Sequence, residues 1–267
     1  MAALTAAAML LPTTAQASTP EPPAPETTAQ PPGFVVQPPT PRTTPETPAA
    51  KPERPKTPRH RRSRVDAGTT MVATLRVDAP RYSRPGKRAR GRVPSYWLGR
   101  SSALPVIASR PGWVRVRLPR RPNGSTAWLR RQDVTLTRTP YRIVVDLYSR
   151  HLLLYKRGRL VMYAPAGVGA PNDPTPTGRF FVAFRQAPPR PPGGYGPFIL
   201  VTSAHSRRIT NWQRSGDAVI GVHGPLGRDR DIGIRGARIS HGCIRLHIRS
   251  LLRLRNVPAG TPVDVIR

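Results

Sequence analysis

The chain has 267 residues, of which 37% are hydrophobic and 35 are proline, and a formal net charge of +31 that comes almost entirely from arginine. That length allows one or two domains. The single cysteine excludes an intramolecular disulfide, a cysteine-based zinc knuckle and a thioredoxin-type redox pair.

The N-terminal region predicts an exported protein. Residues 2–11 form an apolar run that is too short to span a bilayer. Ala15-Gln16-Ala17 fits the small-x-small pattern of a signal-peptidase site, so residues 1–17 are interpreted as a signal peptide. The basic segment that normally precedes such a run is missing. Either the true start codon lies upstream, or the segment is not a signal; we expect export to the cell wall or the outer face of a bacterial envelope.

Residues 18–65 predict a disordered linker. Fourteen prolines fall between Ser18 and Ser63, and the stretch has almost no apolar run. Such a segment cannot bury enough surface to offset the entropy cost of ordering, and its proline content favours extended polyproline II conformations.

Residues 66–139 predict a small β-barrel. Apolar residues alternate in "MVATLRV", "SSALPVIAS", "WVRVRL" and "TAWLRRQDVTL", as they do in strands with one buried face. Asn123-Gly124 marks a tight turn between the last two. The stretch from Gly112 to Val134, with Trp113 and Trp128, resembles the final strands of a bacterial Src-homology-3-like barrel, although both tryptophans also suit the core of any small barrel.

Residues 140–267 predict a second, mostly β domain. "YRIVVDL", "HLLLYKRGRLVMYAPAGVG", "GRFFVAF", "FILVTS", "AVIGVHG" and "TPVDVI" read as strands. Ile248, Leu251, Leu252 and Arg255 recur at helical spacing, which predicts one C-terminal helix of two to three turns. Pro258 and Gly260 should end it.

The lone cysteine, Cys243, lies in "ISHGCIRL" close to two histidines. A thiol needs a base within hydrogen-bond reach, a group that orients that base, and donors for the oxyanion formed when it attacks a carbonyl. His223 and His241 are both candidates for the base, and spacing alone does not choose between them. Gly242 lets the neighbouring N–H groups approach a substrate oxygen.

The pair "VIGVHG" and "SHGCIRL", together with "PTPTG" at residues 174–178, resembles the signature of the L,D-transpeptidase catalytic domain family. The resemblance covers about Tyr141 to Arg267. It implies a β-sandwich-like catalytic fold with one C-terminal helix, and a cysteine acyltransferase that cross-links peptidoglycan stem peptides in cell wall biogenesis. It further implies that carbapenems acylate the cysteine.

The resemblance also implies residue roles. Cys243 matches the nucleophile and His223 the proton donor and acceptor. The carbonyl of Gly224 would orient the imidazole. The N–H groups of Gly242 and Cys243 would form the oxyanion hole. His241 and Ser240 would shape the pocket. Arg245 would bind a substrate carboxylate.

Some positions depart from the family pattern. Pro225 follows Gly224 where relatives have a hydroxyl residue, which puts hydroxyl assistance to the base in doubt, and His205 stands where a tyrosine is expected. Neither departure affects Cys243 or His223.

Two alternatives stay open. Water could resolve the acyl-enzyme, which would make the protein an L,D-carboxypeptidase. A non-catalytic binder could instead use the positive charge to hold anionic wall polymers or nucleic acid. The dispersed charge predicts no sequence-specific nucleic-acid binding, and the residues near Cys243 predict no metal site and no cofactor.

Overall fold

The computed structural model describes residues 68–189, 194–211 and 217–267. The predicted signal peptide and linker lie outside the described residues. The chain divides into two compact units, Met1–Arg59 and His60–Arg267, and every described residue belongs to the second. None of the helices in the described part of the chain is both long and apolar enough to cross a membrane.

The first half of the described chain is built from short strands. Their bounds are β1 Thr70–Leu75, β2 Ala79–Pro80, β3 Arg92–Val93, β4 Tyr96–Trp97, β5 Arg100–Ser101, β6 Ala103–Arg110, β7 Trp113–Arg117, β8 Thr126–Arg130 and β9 Val134–Thr139, with a 3-10 turn at Arg131–Asp133. Five of them form one antiparallel sheet in the order β8-β7-β6-β1-β9.

The alternation of apolar and polar side chains explains why these segments form strands. In β7, Val114 and Val116 are buried while Arg115 is exposed. The predicted turn at Gly124 joins β7 to β8 and has a positive φ of 87°. Trp128 is buried, and Trp113 packs edge-on against Tyr82 with ring centroids 4.9 Å apart. The likeness of this sheet to an Src-homology-3-like barrel stays a prediction.

The second half begins at Tyr141. Its strands are β10 Tyr141–Asp146, β11 His151–Lys156, β12 Arg159–Pro165, β13 Gly167–Gly169, β14 Gly178–Gln186, β15 Ile199–His205, β16 Val219–His223, β17 Ala237–Ser240, β18 Ile244–Arg245 and β19 Pro262–Ile266. All ten form one sheet in the order β12-β11-β10-β19-β14-β15-β16-β18-β13-β17.

This ten-stranded sheet curls over on itself. Leu152 and Leu154 of β11, near one end, share a core cluster with Val168 of β13 and Ile244 of β18, near the other end. Side chains from distant strands of one sheet can meet only if the sheet bends, so it closes into two layers around its own core. The predicted mostly β, sandwich-like fold class is confirmed.

Strand β14 links two cores. Phe180 and Val182 lie in the cluster inside the curled sheet, whereas Phe181 and Ala183 lie in a second cluster with residues of the N-terminal sheet such as Leu129. Successive side chains of a strand point to opposite faces. The N-terminal sheet therefore packs directly on the back of the ten-stranded sheet.

The helices are short. The C-terminal helix α2 spans Ile248–Leu252, less than the predicted two to three turns, and the preceding His247 makes no side-chain capping bond. Beyond α2 the chain continues in tighter i→i+3 turns as far as Val257. A four-residue helix, α1 Asp229–Ile232, has no counterpart in the predicted elements and ends at Gly233.

Candidate active site

The site lies where β16 and β18 pair in parallel, with His223 opposite Arg245. Alternate residues of a strand share a face, and paired residues of neighbouring strands face the same side. Cys243 directly precedes β18 and lies two residues before Arg245, and Gly221 lies two residues before His223 in β16. The Gly221 N–H donates to the Cys243 sulfur across 3.4 Å, which fixes the position of the thiol.

His223 is held in one tautomer. It is 4% exposed, and its Nδ1 lies 2.8 Å from the carbonyl oxygen of Gly224. A carbonyl can only accept, so Nδ1 carries the hydrogen and donates it, which leaves Nε2 as the basic nitrogen. Burial lowers the pKa of His223 to about 4, because the Gly224 bond that favours the cation is outweighed and Arg245 adds repulsion. The imidazole is neutral at neutral pH.

The turn after His223 is tightly packed. A Cβ on Gly224 would lie 2.4 Å from the carbonyl oxygen of Gly194 and 2.8 Å from that of Tyr195, so no larger residue fits there. The Gly224 N–H donates to the Tyr195 carbonyl across 2.7 Å, and the Tyr195 ring tilts against the imidazole with centroids 5.0 Å apart. Residues 194 and 195 thus help to fix the orientation of the His223 imidazole.

Burial raises the pKa of the Cys243 thiol, and the Gly221 N–H and the charge of Arg245 only partly oppose this. A raised thiol pKa beside a lowered imidazole pKa means that the resting pair is thiol and neutral imidazole, not thiolate and imidazolium. An attack by this thiol would therefore require the transfer of its proton to a base, and the neutral imidazole of His223 is the candidate for that base.

Hydrogen bonds within the cysteine loop fix its shape. The Ser240 hydroxyl donates to the Cys243 carbonyl across 2.6 Å and accepts from the Gly242 N–H across 3.1 Å. Gly242 has a φ of 114°, and a Cβ there would lie 2.8 Å from Ile220 Cδ1. Of the two N–H groups predicted for the oxyanion hole, that of Gly242 is thus already bonded to Ser240.

The loop at residues 174–178 supports the cysteine loop from the other side. The buried Thr175 hydroxyl donates to the Gly242 carbonyl across 2.8 Å and accepts from the Gly169 N–H across 2.9 Å. His241 is exposed, and its Nε2 lies 3.9 Å from a carboxylate oxygen of Asp173. His241 lies next to the active site, and its contact joins the two loops.

Arg245 is half-buried and lies close enough to Cys243 for the two side chains to interact electrostatically. One terminal nitrogen makes a weak contact of 3.5 Å with the Pro225 carbonyl. Its Nε is buried and has no hydrogen-bond partner within the described residues. A guanidinium with donors left over beside a nucleophile can bind an anionic group of a substrate.

A family model of the L,D-transpeptidase catalytic domain matches residues 140–265. The YkuD protein of Bacillus licheniformis, named as an L,D-transpeptidase, is 37% identical over 127 residues, which cover 47% of this chain and 66% of the relative. The YkuD protein of Bacillus subtilis, named likewise, is 32% identical over 130 residues, which cover 48% of this chain and 67% of the relative. The chain belongs to the L,D-transpeptidase catalytic domain family.

The catalytic domain of an Enterococcus faecium L,D-transpeptidase, solved by NMR, is also similar. It is 26% identical, with 47% of this chain and 96% of that chain covered and a TM-score of 0.33. Because this TM-score is low, the family assignment rests on the family model and the two sequence relatives.

The structure places every predicted site residue of the L,D-transpeptidase domain around the paired strands β16 and β18 and the cysteine loop. His223 pairs with Arg245, Cys243 directly precedes β18, and Ser240 and Gly242 shape the cysteine loop. Their catalytic roles stay predictions.

Three residues that support the site were not among the predicted site residues. Thr175 lies in the "PTPTG" motif, which could have pointed to it, and Asp173 directly precedes that motif. Nothing in the sequence around Tyr195 indicated its contact with His223. Among the described residues, no group of three or more His, Cys, Asp or Glu side chains could hold a metal ion.

Proposed function

We propose that the protein is a peptidoglycan L,D-transpeptidase that uses Cys243 as nucleophile and His223 as base. One observation carries this proposal. Cys243 directly precedes β18, which pairs with the strand β16 that ends at His223, and Nδ1 of the His223 imidazole is bonded to the Gly224 carbonyl, which leaves Nε2 as the basic nitrogen. The names of the two Bacillus relatives support it.

In the first half-reaction, the Cys243 sulfur attacks the carbonyl carbon of diaminopimelate in a donor stem tetrapeptide, and its proton passes to Nε2 of His223. The bond from that carbon to the nitrogen of the terminal D-alanine then breaks. The imidazolium returns its proton to the departing amine. The products are a thioester on Cys243 and free D-alanine.

In the second half-reaction, an amine nitrogen of a neighbouring stem attacks the thioester carbon and gives a proton to Nε2. The carbon–sulfur bond breaks, and the proton passes to the sulfur to restore the thiol. Each tetrahedral intermediate carries an oxyanion that backbone N–H groups can stabilise. The Cys243 N–H takes this role, joined by that of Gly242 if the substrate oxygen displaces its bond to Ser240.

Intact-protein mass spectrometry with a purified disaccharide tetrapeptide tests this function. We expect wild-type protein to gain the mass of the acyl group without D-alanine, and a cross-linked dimer to accumulate. Cys243→Ala should show neither product. A tripeptide product without dimer would identify an L,D-carboxypeptidase, and the absence of acyl-enzyme from well-folded wild-type protein would contradict the proposal.

We also propose that the protein is exported, because peptidoglycan lies outside the cytoplasmic membrane. The small residues at positions 15 and 17, which follow an apolar run, support this. Protein recovered from the envelope of an expressing bacterium should begin at Ser18 when its N-terminus is sequenced. Full-length protein found only in the cytoplasm would contradict export.

A further inference from the structure

A cleft of about 320 Å³ lies beside the loop at residues 174–178, and neither the predicted site nor the proposed mechanism uses it. Its volume is at the lower end of the range for small-ligand sites. The walls combine apolar residues with arginines, and the lining comprises Leu147, Tyr148, Pro174 to Thr177, Arg207, Arg238 and Arg267.

The three arginines of the cleft are not neutralised. Within the part of the chain that the structure describes, no carboxylate forms an ion pair with Arg207, Arg238 or Arg267. Three positively charged side chains that line one concave surface repel one another and attract anions. The side chains that line the cleft thus carry three positive charges and no negative charge.

Two of these guanidinium groups are held in place by the fold. Arg207 donates from Nη2 to the Thr177 carbonyl across 3.3 Å, and Arg238 donates from Nη2 to the Leu147 carbonyl across 3.2 Å. A guanidinium has five N–H donors, so one such bond leaves most of them for a ligand. Positioned donors with a positive charge suit the planar, two-pronged recognition of phosphate or carboxylate groups.

We propose that this cleft binds a phosphate group. A single carboxylate would neutralise one of three charges with two oxygens. A phosphate group brings a charge of up to about two and three acceptor oxygens, which matches the arginines better. The phosphate can be free in solution or part of a polymer, and the recognition chemistry is the same in both cases. Neither Cys243 nor His223 lines the cleft, so phosphate binding there does not depend on the proposed acyl transfer.

Calorimetric titration of the full-length protein tests the proposal. The probes are inorganic phosphate, linear polyphosphate and, as the carboxylate comparison, acetate, each at two salt concentrations. We expect saturable binding of phosphate probes and no detectable binding of acetate. Tight binding of polyphosphate with weak binding of free phosphate would identify a polymer as the source, and the reverse would identify a free anion. Equal binding of acetate and phosphate would overturn the proposal.

Single substitutions distinguish phosphate binding in the cleft from binding to the general positive charge of the protein. Arg207→Gln and Arg238→Gln should each weaken phosphate binding by about tenfold to a hundredfold, the usual loss for a hydrogen bond to a charged group. Arg249→Gln removes the same charge from an exposed position on α2 and should change the affinity by less than about twofold. Equal losses in all three variants would show that only net charge matters.

A measurement on wild-type protein avoids any folding defect of these variants. Phenylglyoxal modifies accessible arginines, and peptide mass spectrometry reports the rate at each position. Phosphate should protect Arg207 and Arg238 but leave the rate at Arg249 unchanged. Uniform protection, or none, would overturn the proposal.

Discussion

At the scale of single residues, the neutral state of Cys243 and His223 decides how the site can react. Because burial raises the pKa of the thiol and lowers that of the imidazole, little thiolate exists before a substrate arrives. Reactivity should thus depend on His223 accepting the proton as the sulfur attacks, and substituting either residue should have a large effect.

Carbapenem acylation tests that dependence. Cys243→Ala should form no adduct, yet its free energy of unfolding should change by only about 1 kcal/mol. His223→Ala should lower the acylation rate by about 10²–10⁴-fold, as is typical for loss of a general base. His241→Ala is the matched control and should be milder, because His241 is exposed and lies 3.9 Å from Asp173. Intact-protein mass over time gives all the rates, and an adduct on Cys243→Ala would refute the assignment of the nucleophile.

The pKa of His223 predicts an unusual pH dependence. With a pKa of about 4, the imidazole stays neutral where an ordinary histidine, with a pKa near 6.5, is protonated. The carbapenem acylation rate should therefore persist to about pH 5 and fall only near pH 4. A rate that halves near pH 6.5 would contradict the burial argument.

The free energy of unfolding should also depend on the protonation of His223. The unfolded chain protonates His223 near pH 6.5 and the folded chain only near pH 4, so the unfolded state binds more protons between these values. The contribution of His223 to the free energy of unfolding is fully present above pH 6.5, and it declines by roughly 3 kcal/mol as the pH falls to 4. Urea titrations at both pH values should show a smaller decline for His223→Ala than for wild type.

At the scale of elements, the loop at residues 174–178 holds the cysteine loop through one hydroxyl. Thr175→Val keeps the shape of the side chain but leaves the Gly169 N–H and the Gly242 carbonyl without their partner. Each unpaired buried group costs about 1–3 kcal/mol, so the free energy of unfolding in urea should fall by a few kcal/mol. Thr175→Ser keeps the hydroxyl and should retain most of the stability and the acylation rate. Equal behaviour of the two variants would refute the role of the hydroxyl.

A second contact joins the β7–β8 turn to the end of β15. The Asn123 side chain accepts from the His205 N–H across 2.9 Å and donates to the His205 carbonyl across 2.8 Å. Arg121 forms an ion pair of 2.6 Å with Asp217, which also lies 2.6 Å from Nδ1 of His205. The turn thus reaches the segment that leads into β16 and to His223.

These two interactions should differ in strength. Asn123→Ala removes two partly buried bonds to backbone and should lower the free energy of unfolding by about 1–3 kcal/mol. Arg121→Gln disrupts an ion pair whose side chains are 38% and 36% exposed, so it should cost less than about 1 kcal/mol. Hydrogen exchange at residues 205–211 should rise more in Asn123→Ala. The opposite order would show that the ion pair is the main contact.

The sequence predicted the strands and the positions of the candidate pair, Cys243 and His223, because both depend on local patterns. Alternation marks β7, whereas spacing alone left His223 and His241 both open as the base, and only the resemblance of two short motifs to the L,D-transpeptidase family favoured His223. Asn123 was predicted only as a turn residue, since its bonds to His205 join positions 82 residues apart. The Thr175 bond to Gly242 spans 67 residues. Such contacts depend on how the sheet curls, which no local pattern contains.

At the scale of the whole molecule, β14 makes the two sheets interdependent. Its alternate residues enter two different cores, and Phe181 is 1% exposed among residues of the N-terminal sheet. A strand that contributes side chains to both cores should couple the unfolding of the two sheets, although the sequence places the two sheets in separate predicted domains.

Phe181→Ala tests that coupling. Loss of a buried phenyl ring costs about 3–5 kcal/mol, since it removes apolar burial and leaves a cavity. If the sheets unfold as one unit, wild type and variant should each show a single calorimetric transition, shifted to lower temperature in the variant. Tryptophan fluorescence, to which Trp113 and Trp128 of the N-terminal sheet contribute, should change at the same temperature as far-ultraviolet circular dichroism. Two separate transitions in the wild type would show that residues 66–139 fold independently of the catalytic domain.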